Sequence, residues 1–224
     1  MRKGVESEAI VIRSKMYGED DLLVEFLTLR DGRIWGKARH GRKSRKRFGT
    51  VLEPLNILQL RYRDSGNFVF LEEAALERPL SRLRTGLESL SIGFYFLDLI
   101  RELVPQRSPD ARAFSLLKES LVHLNDNKSP GEIVSEFEHR LLDLCGYSPH
   151  LEACIGCQKK WEPAAKFFFV FREGGIFCAD CLPSQVSFEL FSREALSEIL
   201  PKFIEYQLGR PLRSLEFKNR SRVA

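Results

Sequence analysis

Leu22-Leu23-Val24-Glu25-Phe26-Leu27-Thr28-Leu29, followed after Arg30 by Asp31-Gly32 and then by Arg33-Ile34-Trp35-Gly36-Lys37-Ala38-Arg39, is the stretch on which the fold turns. The first run is rich in β-formers and the last alternates in polarity, so both read as strands. Asp31-Gly32 between them reads as a hairpin turn, because glycine tolerates the positive φ such turns need. Outward from this hairpin the pattern repeats. Ala9-Ile10-Val11-Ile12 forms a short strand before it. Asn56 to Tyr62 supplies a fourth, with Ile57, Leu58 and Leu60 as its apolar members. Ser65-Gly66-Asn67 turns the chain into a fifth that opens at Phe68-Val69-Phe70-Leu71. Five short strands in about 75 residues suit a small closed barrel, an OB-fold or an SH3-like one.

Pro79 closes this region, and beyond it the apolar period changes from two to about 3.6. Leu83, Leu87, Leu90, Phe94, Leu97 and Ile100 predict one helix, stopped by Pro105. Phe114, Leu117, Leu121 and Leu124 predict a second, ended by Asn125-Asp126-Asn127. Ser129 as cap, Pro130 and Glu132 start a third, with Ile133, Phe137, Leu141 and Leu144 on its apolar face and Gly146 at its end. A last helix is expected from Arg193 to Leu208, capped by Ser192 and closed by Gly209. The expected class is α+β multidomain. An OB-fold barrel occupies residues 1–80. A helical domain, 81–224, carries a cysteine-bearing module at 150–185.

That module holds the sharpest chemical signal. Cys154-Ile155-Gly156-Cys157 and Cys178-Ala179-Asp180-Cys181 are two CxxC pairs separated by 20 residues. Each pair bites one metal from a tight turn, and the spacer, with Phe167 to Phe171 and Gly174-Gly175, is long enough for one hairpin. Four thiolates at this spacing are the pattern of a zinc ribbon; an iron–sulfur cluster and redox-active thiols are the alternatives. A zinc with four cysteines keeps no open position, so its role is structural. Cys145, beside Gly146 on an apolar helix, is expected to be a buried small hydrophobe.

The second signal is charge. Net charge is only +4, but it is unevenly placed. Residues 1–80 carry 16 Lys/Arg against 12 Asp/Glu, residues 81–208 carry 14 against 18, and residues 209–224 carry 5 against 1. From Arg33 to Arg47 there are eight bases and no acid: Arg33, Lys37, Arg39, Arg42, Lys43, Arg45, Lys46 and Arg47. On a small barrel such density repels itself unless an anion screens it, and phosphates are that anion. Trp35, Phe48 and Tyr62 lie near enough in sequence to stack on unpaired bases. Arg210 and Arg213, within a second cluster that includes Lys218, Arg220 and Arg222, either extend the footprint or belong to a basic tail.

Composition is 43% hydrophobic and 29% charged, an ordinary globular profile that argues against disorder. The start of the chain lacks an apolar export segment and no apolar run reaches bilayer length, so a cytoplasmic location is expected. There the thiols stay reduced, which favours ligation over disulfides. GxxxxGK[ST] and HExxH are absent, and the four histidines show no paired spacing. Glu19-Asp20-Asp21 reads as a solvated turn, and Glu136, Glu138 and His139 as helix surface. No enzyme activity is expected.

The order of these motifs resembles the RecO family over nearly the whole chain. Glu8-Ala9-Ile10-Val11-Ile12 with Tyr17-Gly18-Glu19-Asp20-Asp21 is similar to its first strands. His40-Gly41-Arg42-Lys43-Ser44-Arg45, Phe48-Gly49 and Leu52-Glu53-Pro54 resemble its basic loop. Phe137-Glu138-His139-Arg140-Leu141-Leu142 through Cys145-Gly146-Tyr147-Ser148-Pro149, then Cys154/Cys157, is the most specific stretch. Tyr206-Gln207-Leu208-Gly209-Arg210-Pro211-Leu212-Arg213-Ser214 resembles its C-terminal signature. The resemblance implies an OB-fold, a helical C-terminal domain and, in some members, a zinc module. It implies binding of single- and double-stranded DNA, ATP-independent annealing, partnership with RecR, and support for RecA loading on DNA covered by single-strand-binding protein. It further implies a cytoplasmic protein at the nucleoid during repair. A zinc-ribbon RNA-binding or transcription-associated module and a protein-interaction scaffold are the alternatives that the residues leave open.

Overall fold

The computed structural model describes residues 4–44, 48, 51–126 and 129–221. By compactness the chain forms two units, Met1–Lys128 with Phe217–Ala224, and Ser129–Glu216.

In the first unit five strands close a barrel: β1 (Val5–Tyr17), β2 (Asp21–Thr28), β3 (Gly32–Ala38), β4 (Ile57–Asp64) and β5 (Val69–Arg78). The order is β1-β2-β3-β5-β4, with β4 pairing back onto β1. β1–β2, β2–β3, β4–β5 and β1–β4 run antiparallel, and β3 meets β5 in parallel through Gly36↔Val69 and Lys37↔Phe70. Consecutive strands β3 and β4 are not neighbours, so the chain does not meander around the barrel, and the topology is OB-like. The β2–β3 hairpin turns at Leu29–Asp31, and Gly32 enters β3 with φ +65. A side chain there is excluded twice, by that φ and by the Ser108 carbonyl oxygen, 2.4 Å from where a Cβ would stand.

The barrel interior is built from alternate strand positions: Val24 and Phe26, Ile34 and Ala38, Leu58, Leu60 and Tyr62, Val69 and Leu71. Phe48 and Leu52 from the β3–β4 connection close one end. Burying this set supplies about 25 cal/mol per Å² of apolar surface removed from water. Phe48 and Tyr62 are thus core residues, not stacking platforms, because the inward pleat and the closing loop claim their rings.

The first expected helix is two. α1 (Ser81–Thr85) ends at Gly86, whose extended backbone (φ −90, ψ 121) breaks the run before α2 (Leu87–Leu103). The buried face of α2 is Ser91, Ile92, Tyr95, Phe96, Leu99 and Ile100, while Leu87 and Phe94 are exposed. The segment is apolar on nearly all sides, so its period could not choose the inward face. α3 (Ala111–Asn125) buries Phe114, Leu117, Leu121 and Leu124 as expected. Its end does more than stop: the buried Asn125 Oδ1 accepts the N–H groups of Arg82 and Leu83 and so caps α1. Lys118 of α3 reaches Glu8 of β1 (2.7 Å) and Glu77 of β5 (2.6 Å), tying helix to barrel. Asn127 lies outside the described residues.

In the second unit, α4 (Pro130–Leu144) begins with proline at its first position, though the Ser129 side chain makes no capping bond. It closes on Gly146, where Gly146 N–H donates to Asp143 and Tyr147 N–H to Leu142. Cys145 sits in this closure as the residue that follows the helix, and it is half-buried, not fully buried as expected. Glu138 is fully buried, contrary to its reading as surface, since α4 turns Val134, Phe137, Glu138, Leu141 and Leu142 inward. β6 (Phe167–Val170) and β7 (Gly175–Cys178) form the expected hairpin, and β8 (Phe188–Phe191) adds a third strand beside β6. α5 (Leu196–Leu208) starts three residues later than expected; Ser192 Oγ instead accepts the N–H of Ala195, one turn ahead of it. The basic C-terminal stretch is ordered as a further helix, α6 (Arg213–Ser221). No helix among the described residues is long and apolar enough to cross a membrane.

Candidate functional site

The four cysteines converge in the second unit. Cys154 and Cys157 stand on a tight turn in which Gln158 N–H donates to the Cys154 carbonyl (2.8 Å) and Cys154 N–H to that of Lys159 (2.8 Å). Cys178 ends β7, and Cys181 closes the short helical turn Ala179–Cys181. Ile155 N–H donates to the Ile176 carbonyl (2.9 Å), fastening the first turn to the hairpin. All four Sγ atoms lie within 4.8 Å of one another. Cys157 Sγ and Cys178 Sγ are 3.8 Å apart, and a tetrahedron with metal–sulfur bonds of about 2.3 Å has edges of about 3.8 Å. A Cβ on Gly156 would lie 2.9 Å from that of Cys181, so the turn needs glycine to bring the two pairs together.

The electrostatics agree with a cation centre. Burial opposes ionisation of Cys154, but the N–H groups of Cys178, Cys157 and Gly156 overcome it and hold the thiol down to about 6. Cys181 is pushed up to about 12 by the neighbouring Cys157 and Cys178 thiols. Packed sulfurs cannot all carry charge by themselves, whereas a divalent ion neutralises them together. The donor set and its spacing fit a metal with four thiolate ligands.

The other candidate lies on the outer face of β1–β3. Register sets it. Arg13 stands opposite Glu25, and Glu25 opposite Trp35; Lys15 stands opposite Leu23, and Leu23 opposite Lys37. A register shift between Val11 and Arg13 turns Arg13, Lys15 and Tyr17 onto this face. Trp35 is half-buried there, with the Arg13 guanidinium 4.6 Å and the Lys15 ammonium 5.2 Å from its ring centroid. Lys37 Nζ lies 4.6 Å from the Tyr17 ring and 3.0 Å from Asp21. Arg39 stacks 4.7 Å over Phe70 of β5. Cations resting on ring faces are held by the ring quadrupole.

Three of the expected bases have other work. Arg33 is largely covered and donates to Glu25 Oε1 (2.7 Å), while Arg13 donates to Oε2 (2.8 Å). The Glu25 carboxylate is fully buried and needs both guanidiniums, so Arg33 stands outside the exposed face. Lys43 pairs with Asp20 (2.8 Å), and Arg42 donates to the Glu19 carbonyl (3.1 Å). Glu19-Asp20-Asp21 is therefore a docking point for the basic loop as well as a turn. Asp21 is held below the usual carboxylate range by the His40 N–H and by Lys37. Arg45, Lys46 and Arg47, with Gly49 and Arg222, lie outside the described residues. Arg210 and Arg213 are exposed in the second unit. Lys218 is buried, its ammonium 4.3 Å from the Tyr95 ring, and faces no solvent. Arg13, Lys15 and Phe70 were missed from sequence; the spacing of Arg13, Lys15 and Tyr17 along one strand was the available signal.

Barrel, helices and thiol cluster together define an OB-barrel protein with a zinc-ribbon-like centre in its helical part. Residues 1–80 match the family model for the recombination protein O N terminal, and residues 84–189 that for the recombination protein O C terminal. The DNA repair protein RecO of Syntrophobacter fumaroxidans is 35% identical over 178 residues, covering 80% of this chain and 71% of that protein. That of Syntrophotalea carbinolica is 35% identical over 178 residues, covering 79% and 69%. That of Bacillus pumilus is 27% identical over 206 residues, covering 92% and 79%. The chain belongs to the RecO family of DNA repair proteins.

Proposed function

We propose that this protein is a recombination mediator whose barrel binds single- and double-stranded DNA without reading sequence and pairs complementary strands without ATP. The observation that carries the reading is the β1–β3 face, where Arg13, Lys15 and Lys37 surround the half-exposed rings of Trp35 and Tyr17. Cations neutralise phosphates irrespective of sequence, and rings accept any base. Neutralised strands repel each other less and can search for register. The footprint comprises Lys37, Trp35 and Arg39 together with Arg13 and Lys15, and Arg42, Lys43, Arg45, Lys46 and Arg47 extend it along the loop; Arg210 and Arg213 are DNA contacts of the other unit in their own right. The four cysteines, Cys154, Cys157, Cys178 and Cys181, hold structural Zn²⁺, which stabilises a ribbon too small to fold on its own. The helical domain, 81–224, is the platform for RecR and for single-strand-binding protein during RecA loading at the nucleoid. None of these steps requires a catalytic residue.

The test is annealing of two complementary labelled oligonucleotides, followed by energy transfer without ATP across a salt series. Acceleration that weakens as salt rises supports the reading. Binding without acceleration reduces the protein to a passive DNA binder, and no binding at physiological salt overturns the assignment.

A further inference from the structure

A groove lies on the β4–β5 side of the barrel and meets the β1–β3 face at Arg39 and Phe70. A cavity of about 610 Å³ is lined by Arg39, Arg61, Arg63, Asp64, Phe70 and Glu72, among others. A second cavity of about 400 Å³ adjoins it through Ser65 and Phe70 and ends at Phe68, which is 44% exposed. Three guanidiniums and two rings therefore line one continuous surface.

The charges in it are arranged, not scattered. A β-bulge opposite Arg61 and Tyr62 leaves Glu72 as the extra residue of β5. Its carboxylate draws in Arg63 (2.6 Å) and Arg61 (3.4 Å), and Arg61 also reaches Glu73 (3.2 Å). Both arginines stay about half exposed, and a guanidinium with five N–H donors has edges left for a phosphate. Asp64 is engaged by Arg107 from the α2–α3 connection (3.4 Å), which also donates to the Gly66 carbonyl. That contact offsets the Asp64 charge from outside the groove and braces the β4–β5 turn. Three arginines therefore line the groove with two carboxylates, Glu72 and the Arg107-paired Asp64.

We propose that this groove takes an unpaired nucleotide and is where the barrel distinguishes single-stranded from duplex DNA; the proposal rests on the DNA-binding reading above. A base replaces the Arg39 guanidinium over Phe70, and Phe68 receives its neighbour. Arg39, Arg61 and Arg63 hold the adjoining phosphates. Duplex DNA presents the same phosphates, but its bases are stacked inside and reach neither ring.

The experiment compares a labelled oligothymidylate with a blunt duplex by fluorescence anisotropy, using Phe70→Leu, Phe68→Ala and Arg63→Gln in the full chain. Phe70→Leu keeps apolar packing while removing the stacking face, and Phe68 is exposed enough to be cut back without harm to the core. Loss of one stacked base weakens binding by about tenfold. Each ring variant should therefore lose about tenfold on the single strand and about twofold or less on the duplex, whereas Arg63→Gln should weaken both. Equal losses on both DNAs, or no loss on the single strand, overturn the groove's role while leaving the β1–β3 face intact. Parent protein that binds neither DNA removes the underlying reading instead.

Discussion

Neutralising two lysines, Lys15→Gln with Lys37→Gln, asks directly whether the β1–β3 face meets phosphates. Both ammonium groups lie against partly exposed rings, 5.2 Å from Trp35 and 4.6 Å from Tyr17. The Lys37–Asp21 pair is partly exposed, and such pairs are worth about 0–1 kcal/mol, so a phosphate can share the ammonium. On single strands each neutralised phosphate contributes about 0.7 to the slope of log K against log salt, so losing two should flatten it by about 1.4. Referred to about 1 M salt, each contact is worth about fivefold at about 0.1 M, giving about 25-fold weaker binding for the double variant. The gap should narrow as salt rises. Anisotropy titrations of one labelled oligonucleotide at several salt concentrations give both quantities. A uniform loss of affinity at unchanged slope would refute the reasoning, because it would mean that the lysines act on the fold and not on phosphates.

Glu25→Gln should destabilise the barrel by about 2 kcal/mol, below the ~3–5 kcal/mol of a fully buried broken pair because Arg13 is half exposed; a lower urea midpoint at constant m-value checks this. Cys154→Ser and Cys181→Ser should each lower the zinc content of the purified protein and its melting temperature, and normal values of both would sink the structural-metal assignment. Gly156→Ala should weaken zinc retention against a chelator without altering the ligands, since its Cβ collides with Cys181; unaltered retention would mean that the turn relaxes freely. Asp21 has its folded pKa depressed from an ordinary value near 3.8, so the stability it adds is present above that value and disappears as pH falls through the folded one. Asp21→Asn should therefore be less stable than the parent at neutral pH and converge with it in acid, as urea melts at several pH values would reveal.

Local chemistry was legible in the sequence and long-range placement was not. The five strands could be read from alternation and turn residues, and the CxxC pairs from spacing, because both signals lie within a few residues. Closure of β3 onto β5 depends on residues more than 30 positions apart, Gly36 and Val69 among them, and strand period is silent about partners. For the same reason Tyr62 and Phe48 looked like stacking rings until the barrel enclosed them. Arg33 looked like a phosphate ligand because its partner, Glu25, is eight residues away across a hairpin. Arg13 and Lys15 went unnoticed because a register shift turns them toward Trp35. In α2 the failure has another cause. A helix apolar on nearly every side carries no phase, and only the neighbours decide which face goes in.

The last turns of α6 belong to the first compact unit, with Lys218 over Tyr95 and the Ser221 and Ser91 hydroxyls 2.6 Å apart. The first unit is therefore not finished when residues 1–128 have left the ribosome. Its final pieces are synthesised after the whole of Ser129–Glu216, so the barrel-bearing unit must wait for the ribbon-bearing one. Truncation before Lys218 should consequently be felt beside Tyr95, far earlier in the chain than the lesion itself.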